Sequence, residues 1–303
     1  MKQIDIGKSG LTTSELILGT MRIAKLAADE VKELVDTALE CGIDLFDHAD
    51  IYGGGRSEEL FGEIMTPSLR DKIKIQTKCS IRKGFYDYSA EHILSSVEGS
   101  LKRLKTDYID MLLLHRPDTL MEPEKVAGVF NKLHSSGKVK SFGVSNHNSM
   151  QIELLQKYTD HKIIANQLQL SITNTGMIDS GLNVNTQNPR AIDRDGSVLE
   201  YCRLKDITIQ AWSPFQYGFF EGIFLNNDKF PELNKVLDRI AEEKKVSNSA
   251  LAIAWILRHT AKMQPILGTT NIDRLKDFCT ACDVTLSREE WYEIYCSAGN
   301  VLP

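Results

Sequence analysis

Eight short runs of aliphatic or β-branched residues alternate along this chain with longer segments whose apolar residues recur at helical spacing. Such alternation predicts βαβ units, which build a parallel sheet. The candidate strands are residues 16–20, 44–47, 72–78, 108–115, 140–145, 163–169, 207–213 and 265–268. Helical patterns lie near residues 28–41, 57–65, 89–104, 123–136, 148–158, 195–205, 232–245 with 248–259, and 271–281. Eight such units predict a closed (β/α)8 barrel, because an open doubly wound sheet usually has fewer units and carries a glycine-rich dinucleotide fingerprint that is absent here.

The two ends of the chain add elements to this barrel. Residues 3–13 contain two short extended runs around a glycine turn, which predicts a β-hairpin that closes the bottom of the barrel. Residues 287–297 follow the eighth unit and predict one extra C-terminal helix. No repeat and no linker interrupts the pattern, so residues 1–303 are expected to form a single domain. The stretches 171–196 and 214–230 predict long loops, and long loops in compact domains are usually functional.

Composition narrows the classes of partner. A chain of 303 residues with 42% hydrophobic residues can bury a large core. Its formal charge is -5 and it has no run of like charges, so we expect neither nucleic acid nor a membrane surface as a partner, and we infer no obligate protein partner. The N-terminus lacks a signal-peptide core, and the six cysteines are not spaced as a disulfide framework. We therefore expect a cytoplasmic protein with reduced thiols that binds small molecules.

Reactive side chains stand at the ends of three consecutive candidate strands. Asp47 ends the second strand, Lys78 the third and His115 the fourth, while Tyr52 lies in the loop after Asp47. The loops after the strands of a barrel share one face, so we expect the four side chains to line one mouth. Singly, each has a structural interpretation as a turn former, a loop cover or a lysine that reaches water. Together they favour a catalytic group, because an acid, a cation and an imidazole are costly to bury unless they are paired.

These residue types suit acid catalysis on a carbonyl group. A phenol has a pKa near 10, and an adjacent ammonium lowers that pKa, so Lys78 is expected to make Tyr52 a better acid. Asp47 would keep Lys78 charged and in position. His115 would donate a hydrogen bond to the substrate oxygen as negative charge develops on it.

Several motifs occur in an order that resembles the aldo-keto reductase superfamily. They are LFDHADIYGGGRSEELFG (45–62), QTKC (76–79), DMLLLHRPD (110–118), SFGVSNH (141–147), AWSPF (211–215) and PILGTTNIDRL (265–275). The resemblance covers almost the whole chain and is greatest to the YdhF-like branch of bacterial oxidoreductases. It implies a (β/α)8 TIM barrel that reduces aldehyde or ketone carbonyls to alcohols with NADPH, Tyr52 being the general acid. The implied catalytic tetrad is Asp47, Tyr52, Lys78 and His115.

The resemblance also implies a nucleotide site across the barrel mouth. For the nicotinamide and its ribose, the implied residues are Gly19, Thr20, Met21, Asp47, Ser145, Asn146, Gln167 and Trp212. For the pyrophosphate and the adenosine phosphate, they are Ser213, Pro214, Phe215, Gly268, Thr269, Thr270 and Arg274. Trp212 would stack on the nicotinamide ring, where many members of the superfamily have tyrosine.

The residues of the eighth loop bear on the choice between NADPH and NADH. Arg274 opens a helix after a barrel strand, where both a guanidinium and a helix N-terminus favour an anion such as a 2′-phosphate. Two departures from the superfamily pattern weaken this preference: its usual lysine is Gly268 here, and its asparagine near the adenine is Phe278. NADPH is therefore the expected cofactor, with NADH possible.

The substrate is expected to be a small aldehyde or ketone with an apolar body. Its pocket would be lined by the catalytic Tyr52 and His115, by Phe85 and Tyr86, and by Met21. The long loops after strands six and seven would add aromatic surface from Tyr217, Phe219 and Phe220.

Two other functions compete with carbonyl reduction. A barrel metal hydrolase would use His48, Asp50 and His115 as ligands, but no further acid or histidine stands at the ends of strands five to eight to complete a metal site. His48 is instead expected to face outward from its strand. A regulatory subunit that binds the cofactor to sense redox state is a second alternative, against which the intact tetrad argues.

Overall fold

A closed barrel of eight parallel strands forms the centre of the computed structural model, which describes every residue from Met1 to Pro303. The strands, labelled β1 to β8, are Ile17–Gly19, Leu45–Asp47, Lys74–Cys79, Ile109–Leu114, Val139–Ser145, Ile163–Gln169, Thr208–Trp212 and Gln264–Leu267. Each strand pairs in parallel with the next, and β8 pairs with β1 to close the cylinder. The predicted (β/α)8 barrel is confirmed.

Twelve helices surround the strands or follow them. Labelled α1 to α12, they are Ala28–Glu40, Arg56–Glu63, Pro67–Lys72, Ala90–Leu104, Pro123–Ser135, Ser149–Gln156, Gly176–Leu182, Val198–Leu204, Pro231–Lys244, Asn248–Leu257, Ile272–Cys279 and Arg288–Ser297. Side-chain caps fix several of their starts: Ser89 accepts a hydrogen bond from the His92 amide at the start of α4, and Ser287 forms a capping box at the start of α12. The C-terminal helix that the sequence predicted is therefore present as α12.

Two short helices were not predicted. α3 runs from Pro67 to Lys72, and its last residue was predicted as the first residue of the third strand. β3 therefore starts at Lys74 rather than at residue 72. Thr66 caps α3 and Pro67 occupies its first turn, which is a favourable start for a helix. α7 lies inside the segment 171–196, which the sequence predicted as a loop.

The predicted hairpin pairs Gln3–Asp5 with Thr12–Ser14 and covers the N-terminal ends of the barrel strands. Ile6, in the turn, is fully buried with apolar residues of the barrel lumen. The next residue must be glycine: Gly7 has a φ of +60°, and a Cβ there would lie 2.7 Å from the Cβ of Ile164. The Gly7 amide donates to the Thr208 hydroxyl at 2.9 Å, and Lys162 donates to the Gly7 carbonyl at 2.6 Å. The hairpin thus closes the bottom of the barrel.

Alternate side chains of each strand face the lumen and the helices. The clusters that pack the barrel against the helices hold 43 and 21 buried residues, whereas the apolar cluster that contains the lumen-facing Leu45 and Met111 has only 8. Much of the lumen is therefore polar. No helix is both long enough and apolar enough to span a membrane.

Candidate active site

The mouth of the barrel opens into a cavity of about 620 Å³. The two-residue alternation of the strands brings polar side chains to the last lumen-facing position of β2, β3 and β5, and His115 follows β4 in the same alternation. Predicted site residues that line this cavity are Gly19, Met21, Asp47, Tyr52, His115, Ser145, Asn146, Gln167, Trp212, Ser213, Pro214, Phe215, Gly268, Thr269 and Arg274. Lys78 lies directly beneath the cavity wall and is fully buried.

Lys78 connects two other members of the predicted tetrad, Asp47 and Tyr52. Its ammonium nitrogen lies 2.7 Å from Oδ2 of Asp47 and 3.1 Å from the hydroxyl oxygen of Tyr52. It donates a third hydrogen bond to the carbonyl oxygen of His48 at 2.8 Å. Burial lowers the pKa of Lys78, but the charges of Asp47 and Tyr52 and their hydrogen bonds outweigh that effect and raise the pKa above its ordinary value. The lysine therefore stays charged beside the phenol.

Asp47 is held on its other oxygen by two amides. Both Gln76 Nε2 and Gln167 Nε2 donate to Oδ1 of Asp47, the second at 3.0 Å. All three side chains are buried. With Oδ2 bound to Lys78, the carboxylate cannot rotate without losing a hydrogen bond, so it fixes the ammonium in one position.

The pKa of Tyr52 differs from the sequence-based expectation. Burial raises this pKa above its usual value of 10.0, and the charge of Lys78 opposes the rise without cancelling it. The predicted direction of the Lys78 effect is thus present, but the net shift is upward because the phenol is almost completely desolvated. At neutral pH the hydroxyl keeps its proton.

The imidazole of His115 faces Tyr52 edge to face, with the ring centroids 6.1 Å apart. Burial, together with the charges of Lys78 and Arg116, lowers the pKa of His115 well below 6.5. His115 is therefore neutral at physiological pH. Its Nδ1 is buried without a hydrogen-bond partner in the protein.

His48 lies on the opposite side of β2 from this group. Its Nδ1 is 2.9 Å from the hydroxyl of Thr20, and its ring packs against Phe61 of α2 with centroids 4.5 Å apart. The ring faces the helices, as the sequence predicted, and so does not share a site with His115. The structure contains no group of three or more His, Cys, Asp or Glu side chains that could hold a metal ion.

Residues from β5, β6 and β7 meet at one side of the cavity. Asn146 adopts a φ of +59°, which turns its amide so that Nδ2 donates to Ser145 Oγ at 2.8 Å and Oδ1 accepts from the Trp212 indole at 3.1 Å. Ser145 in turn donates to the Gln167 carbonyl at 3.1 Å. The Trp212 ring is covered by Phe220, whose ring is nearly parallel to it at 5.8 Å. An aromatic face and several amide groups thus lie together.

Cationic side chains border the part of the cavity that lies between the first loop, which follows β1, and the eighth loop, which follows β8. The Asn271 side chain caps α11 through the Arg274 amide, which puts Arg274 in the first turn of that helix. Arg22 reaches across from the first loop and donates to the Gly268 carbonyl at 2.7 Å. Neither guanidinium has a carboxylate within 4.0 Å, so both are available to an anion.

Besides Lys78, the predicted residues that lie outside the cavity lining are Thr20, Thr270, Phe85, Tyr86, Tyr217 and Phe219. Thr20 is buried beneath it, where its hydroxyl bonds Asp47 O and His48, and Thr270 does not reach it. Phe85 and Tyr86 belong to a short hairpin and are 56% and 45% exposed. Their predicted contact with substrate stays a prediction.

Two arginines of the cavity were missed by the sequence analysis. Arg22 and Arg116 both line it. Arg116 directly follows His115 in the HRPD motif, and that adjacency was a usable signal. Arg22 carried none, because its role depends on how the first loop bends toward the eighth.

Comparison with known proteins identifies the class to which this barrel and site belong. The model of the Aldo/keto reductase family matches residues 15–296, and the chain belongs to that family. It is 36% identical over 301 residues to the 6-dehydroglucose reductase of Agrobacterium fabrum, with 94% of each chain covered. It is 32% identical over 307 residues to oxidoreductase YdhF of Escherichia coli, covering 97% of this chain and 96% of the relative.

This chain is also similar in structure to the thermostable aldo-keto reductase Tm1743, solved with the inhibitor epalrestat. The TM-score between the two structures is 0.80, their sequence identity is 26%, and the match covers 98% of this chain and 100% of that chain. The chain is therefore an NAD(P)H-dependent oxidoreductase of carbonyl compounds. The family resemblance seen in the motifs is confirmed.

Proposed function

We propose that this chain reduces aldehyde or ketone carbonyls to alcohols with NADPH and that Tyr52 is the general acid. The observation that carries the proposal is the buried Lys78 ammonium, which lies within hydrogen-bond distance of both Asp47 and the Tyr52 hydroxyl at the barrel mouth. When bound, NADPH would supply the hydride. The residues of the chain would supply the proton and hold the reacting oxygen.

Tyr52 is suited to give up a proton to an oxygen that gains negative charge. Its raised pKa keeps the phenol protonated across the neutral range, so the proton is always available. Once the proton leaves, the Lys78 ammonium stabilises the phenolate across the existing 3.1 Å contact, and no side chain has to move. Asp47 holds Lys78 in place during this change.

His115 would orient the carbonyl. A neutral imidazole can donate one hydrogen bond without the charge that would draw an anion into the site permanently, and the lowered pKa of His115 keeps it neutral. With Tyr52 on one side and His115 on the other, a carbonyl oxygen would receive two hydrogen bonds, as in an oxyanion hole.

The residues at the cavity suit a nicotinamide dinucleotide. The Asn146 and Gln167 amides could bind a carboxamide, Ser145 lies beside them, and the Trp212 face could stack on a flat ring once Phe220 moves aside. The proposed pyrophosphate segment is Ser213 to Phe215, and the proposed adenosine-phosphate residues are Gly268 to Thr270 with Arg274.

Arg22 is proposed to compensate for the missing lysine at position 268. A Cβ on Gly268 would lie 3.4 Å from Nη1 of Arg22, so the guanidinium occupies the space that a side chain there would enter. Two guanidinium groups, those of Arg22 and Arg274, would then face a 2′-phosphate. This favours NADPH over NADH.

The cofactor preference is testable by charge removal. We expect Arg22→Gln and Arg274→Gln each to raise the Kd for NADPH about tenfold or more and to change the Kd for NADH little, since a charge-assisted hydrogen bond contributes about 1.5–3 kcal/mol. Lys276→Gln on the exposed face of α11 is the matched control. Titration of protein fluorescence measures each Kd. Equal losses for both cofactors would remove the 2′-phosphate from the proposal.

The substrate pocket combines apolar surface with one cation. Phe220 and Ile223 line it, and the Arg116 guanidinium lies 5.7 Å from the Trp212 ring centre. Arg116 has no carboxylate partner and could bind a polar substituent of the substrate. We propose small carbonyl compounds with an apolar body, and the assay panel includes 6-dehydroglucose because a relative is named for its reduction.

The general acid is tested by Tyr52→Phe. We expect the Kd for NADPH to stay within about threefold of wild type while kcat for carbonyl reduction falls by about 10²–10⁴, the usual contribution of a positioned acid. The assay follows NADPH absorbance with a panel of aldehydes, ketones, quinones and sugar aldehydes. Tyr158→Phe, outside the cavity, is the control.

Full activity in Tyr52→Phe would exclude Tyr52 as the acid. Tight NADPH binding by the wild type without turnover of any carbonyl would contradict the enzyme proposal and favour a redox-sensing regulatory role.

A further inference from the structure

A second cleft of about 270 Å³ lies outside the barrel, among α7, α8, α10 and α12. Arg203 at the end of α8, Arg258 just after α10 and Arg288 at the start of α12 all line it, and we call it the arginine cleft. No residue lines both this cleft and the cavity at the barrel mouth. Nothing in carbonyl reduction uses it.

The arginines of the chain fall into two groups, those that form ion pairs with carboxylates and those that do not. Those in ion pairs with carboxylates are Arg56, Arg70, Arg82, Arg103, Arg190 and Arg239. Those without such a partner at the barrel mouth are Arg22, Arg116 and Arg274, and those without one in the arginine cleft are Arg203, Arg258 and Arg288. Only Arg194 is unpaired elsewhere. Unpaired guanidinium groups are thus concentrated in the two cavities.

Two of the three guanidinium groups are positioned by the protein. Arg258 donates from Nε to the Leu286 carbonyl at 2.7 Å, and this bond leaves its terminal nitrogens free. Arg203 donates from Nη2 to the Thr260 hydroxyl at 3.4 Å. The free nitrogens match the paired oxygens of a phosphate group.

The cleft has an excess of positive charge. Glu200 is the only acidic residue in its lining, and its Oε1 lies beside Gly181 of α7, where a Cβ would be 3.3 Å away. Three guanidinium groups around one small cleft repel one another, and a bound anion would relieve that repulsion. The charge excludes a metal cation or an amine as the ligand.

His259 adds a neutral hydrogen-bond donor. Burial, and after it the charges of Arg203 and Arg258, lowers the pKa of His259 to about 4. Its Nδ1 accepts from the Ala261 amide at 3.2 Å, so the neutral ring carries its proton on Nε2. A protonated nitrogen in the lining of the cleft can donate to an acceptor there.

Trp291 and Tyr292 supply the aromatic part of the cleft lining, and the buried Trp255 behind it holds Trp291 in place. Trp255 of α10 and Trp291 of α12 stack with centroids 4.7 Å apart, and each indole nitrogen donates to the other residue's carbonyl at 3.0 Å. Tyr292 packs edge-on against Trp291 and is half-buried in the lining. The organic part of a ligand would therefore meet a preformed apolar surface.

From these features we infer that the arginine cleft binds a small organic phosphate, whose phosphate group contacts the three arginines and whose apolar or aromatic body packs against Tyr292. The site is separate from the nucleotide site and does not depend on the proposed carbonyl reduction.

The test uses the full chain saturated with NADPH, so that the barrel mouth is occupied, and titrates it calorimetrically with phenyl phosphate and with inorganic phosphate. We expect phenyl phosphate to bind more tightly than inorganic phosphate. We expect Arg203→Gln with Arg288→Gln to weaken phenyl phosphate binding about tenfold or more, since charge-assisted hydrogen bonds are lost. Both residues are exposed enough for the double variant to fold.

Two matched variants make the result decisive. Arg194→Gln with Lys235→Gln removes the same charge from the surface outside both cavities and should leave the Kd unchanged. Arg203→Lys with Arg288→Lys keeps the charge and should recover part of the affinity. Equal weakening in both charge-removing variants, an unchanged Kd in Arg203→Gln with Arg288→Gln, or no binding of phenyl phosphate to the wild type would overturn the inference.

Discussion

At the scale of single residues, Lys78 supports both the proposed chemistry and the local structure. Its ammonium group has three donors, and the structure provides one acceptor for each: Asp47, the His48 carbonyl and Tyr52. A fully buried ammonium without such partners would be strongly destabilising. The same contacts that compensate its burial also place a positive charge against the Tyr52 hydroxyl.

We expect Lys78→Met to lower both activity and stability. The substitution leaves the buried Asp47 carboxylate without its cation, which should reduce the free energy of unfolding by about 3–5 kcal/mol. It also removes the charge that stabilises the Tyr52 phenolate, so kcat should fall at least about 100-fold. Urea unfolding and NADPH-dependent turnover measure the two effects. Lys74→Met, on the same strand but partly exposed, should change neither by a comparable amount, and equal effects in the two variants would argue against this role.

At the scale of elements, the N-terminal hairpin stabilises the barrel from the end opposite the site. Ile6 fills the bottom of the lumen, and Gln264 of β8 donates to the Ser14 carbonyl at 2.8 Å and to the Thr13 hydroxyl at 3.1 Å. These contacts join the hairpin to strands that are far from it in sequence. The hairpin should therefore affect stability much more than catalysis.

Ile6→Ala tests this separation. Removing the fully buried side chain of Ile6 from its apolar cluster in the lumen should cost about 2–5 kcal/mol of unfolding free energy, while kcat and KM stay within about twofold of wild type. Ile4→Ala, in the same hairpin but only half-buried, should cost clearly less. Denaturant unfolding and steady-state kinetics provide the two readouts. A large loss of kcat at temperatures where the variant is folded would show that the hairpin is coupled to the site.

The strands were predictable because each carries its own signal of aliphatic and β-branched residues between turn residues. α7 was not, since Gly176 and Gly181 disrupt the helical pattern and its burial comes from distant segments. The meeting of Asp47, Lys78 and His115 near the mouth was predictable because strand alternation and barrel geometry determine which side chains reach it, whereas their catalytic roles stay a proposal. The positions of Phe85 and Tyr86 depend instead on the direction of a loop, which local sequence does not encode.

At the scale of the whole molecule, a chain of amides crosses the lumen from mouth to bottom. Gln167 donates to Asp47, and Gln210 donates to Gln264 at 3.2 Å, which donates in turn to the hairpin carbonyl of Ser14. Gln167 Nε2 donates to Gln210 Oε1 at 3.4 Å, and this bond links the amides near the mouth to those near the bottom. All are buried, so the polar interior is stable only while these hydrogen bonds are complete.

Buried neutral histidines add a dependence of stability on pH. Burial and the charge of Lys78 lower the pKa of His48 to about 3, and burial lowers that of His147 to about 4. Both values lie below the unfolded value of about 6.5, so each group stabilises the fold fully above that pH and loses its contribution as the pH falls toward the folded pKa. Asp50 acts in the opposite sense, because burial raises its pKa to about 6. Its contribution to the free energy of unfolding therefore increases as the pH falls through that value.

His115 and His259 also have lowered pKa values, so these histidines outnumber the two carboxyl groups with a raised pKa, Asp50 and Asp195. We therefore expect the free energy of unfolding to fall as the pH decreases from about 6.5 to about 4.5. Each buried histidine contributes a slope of about 1.4 kcal/mol per pH unit in that window. His48→Gln cannot take up a proton, so its stability should fall less steeply with decreasing pH, even if it is less stable at pH 7. His134→Gln removes an exposed histidine and should keep the wild-type slope. Urea unfolding at half-unit pH intervals measures the slopes, and identical slopes for wild type and His48→Gln would show that His48 is not kept neutral by the fold.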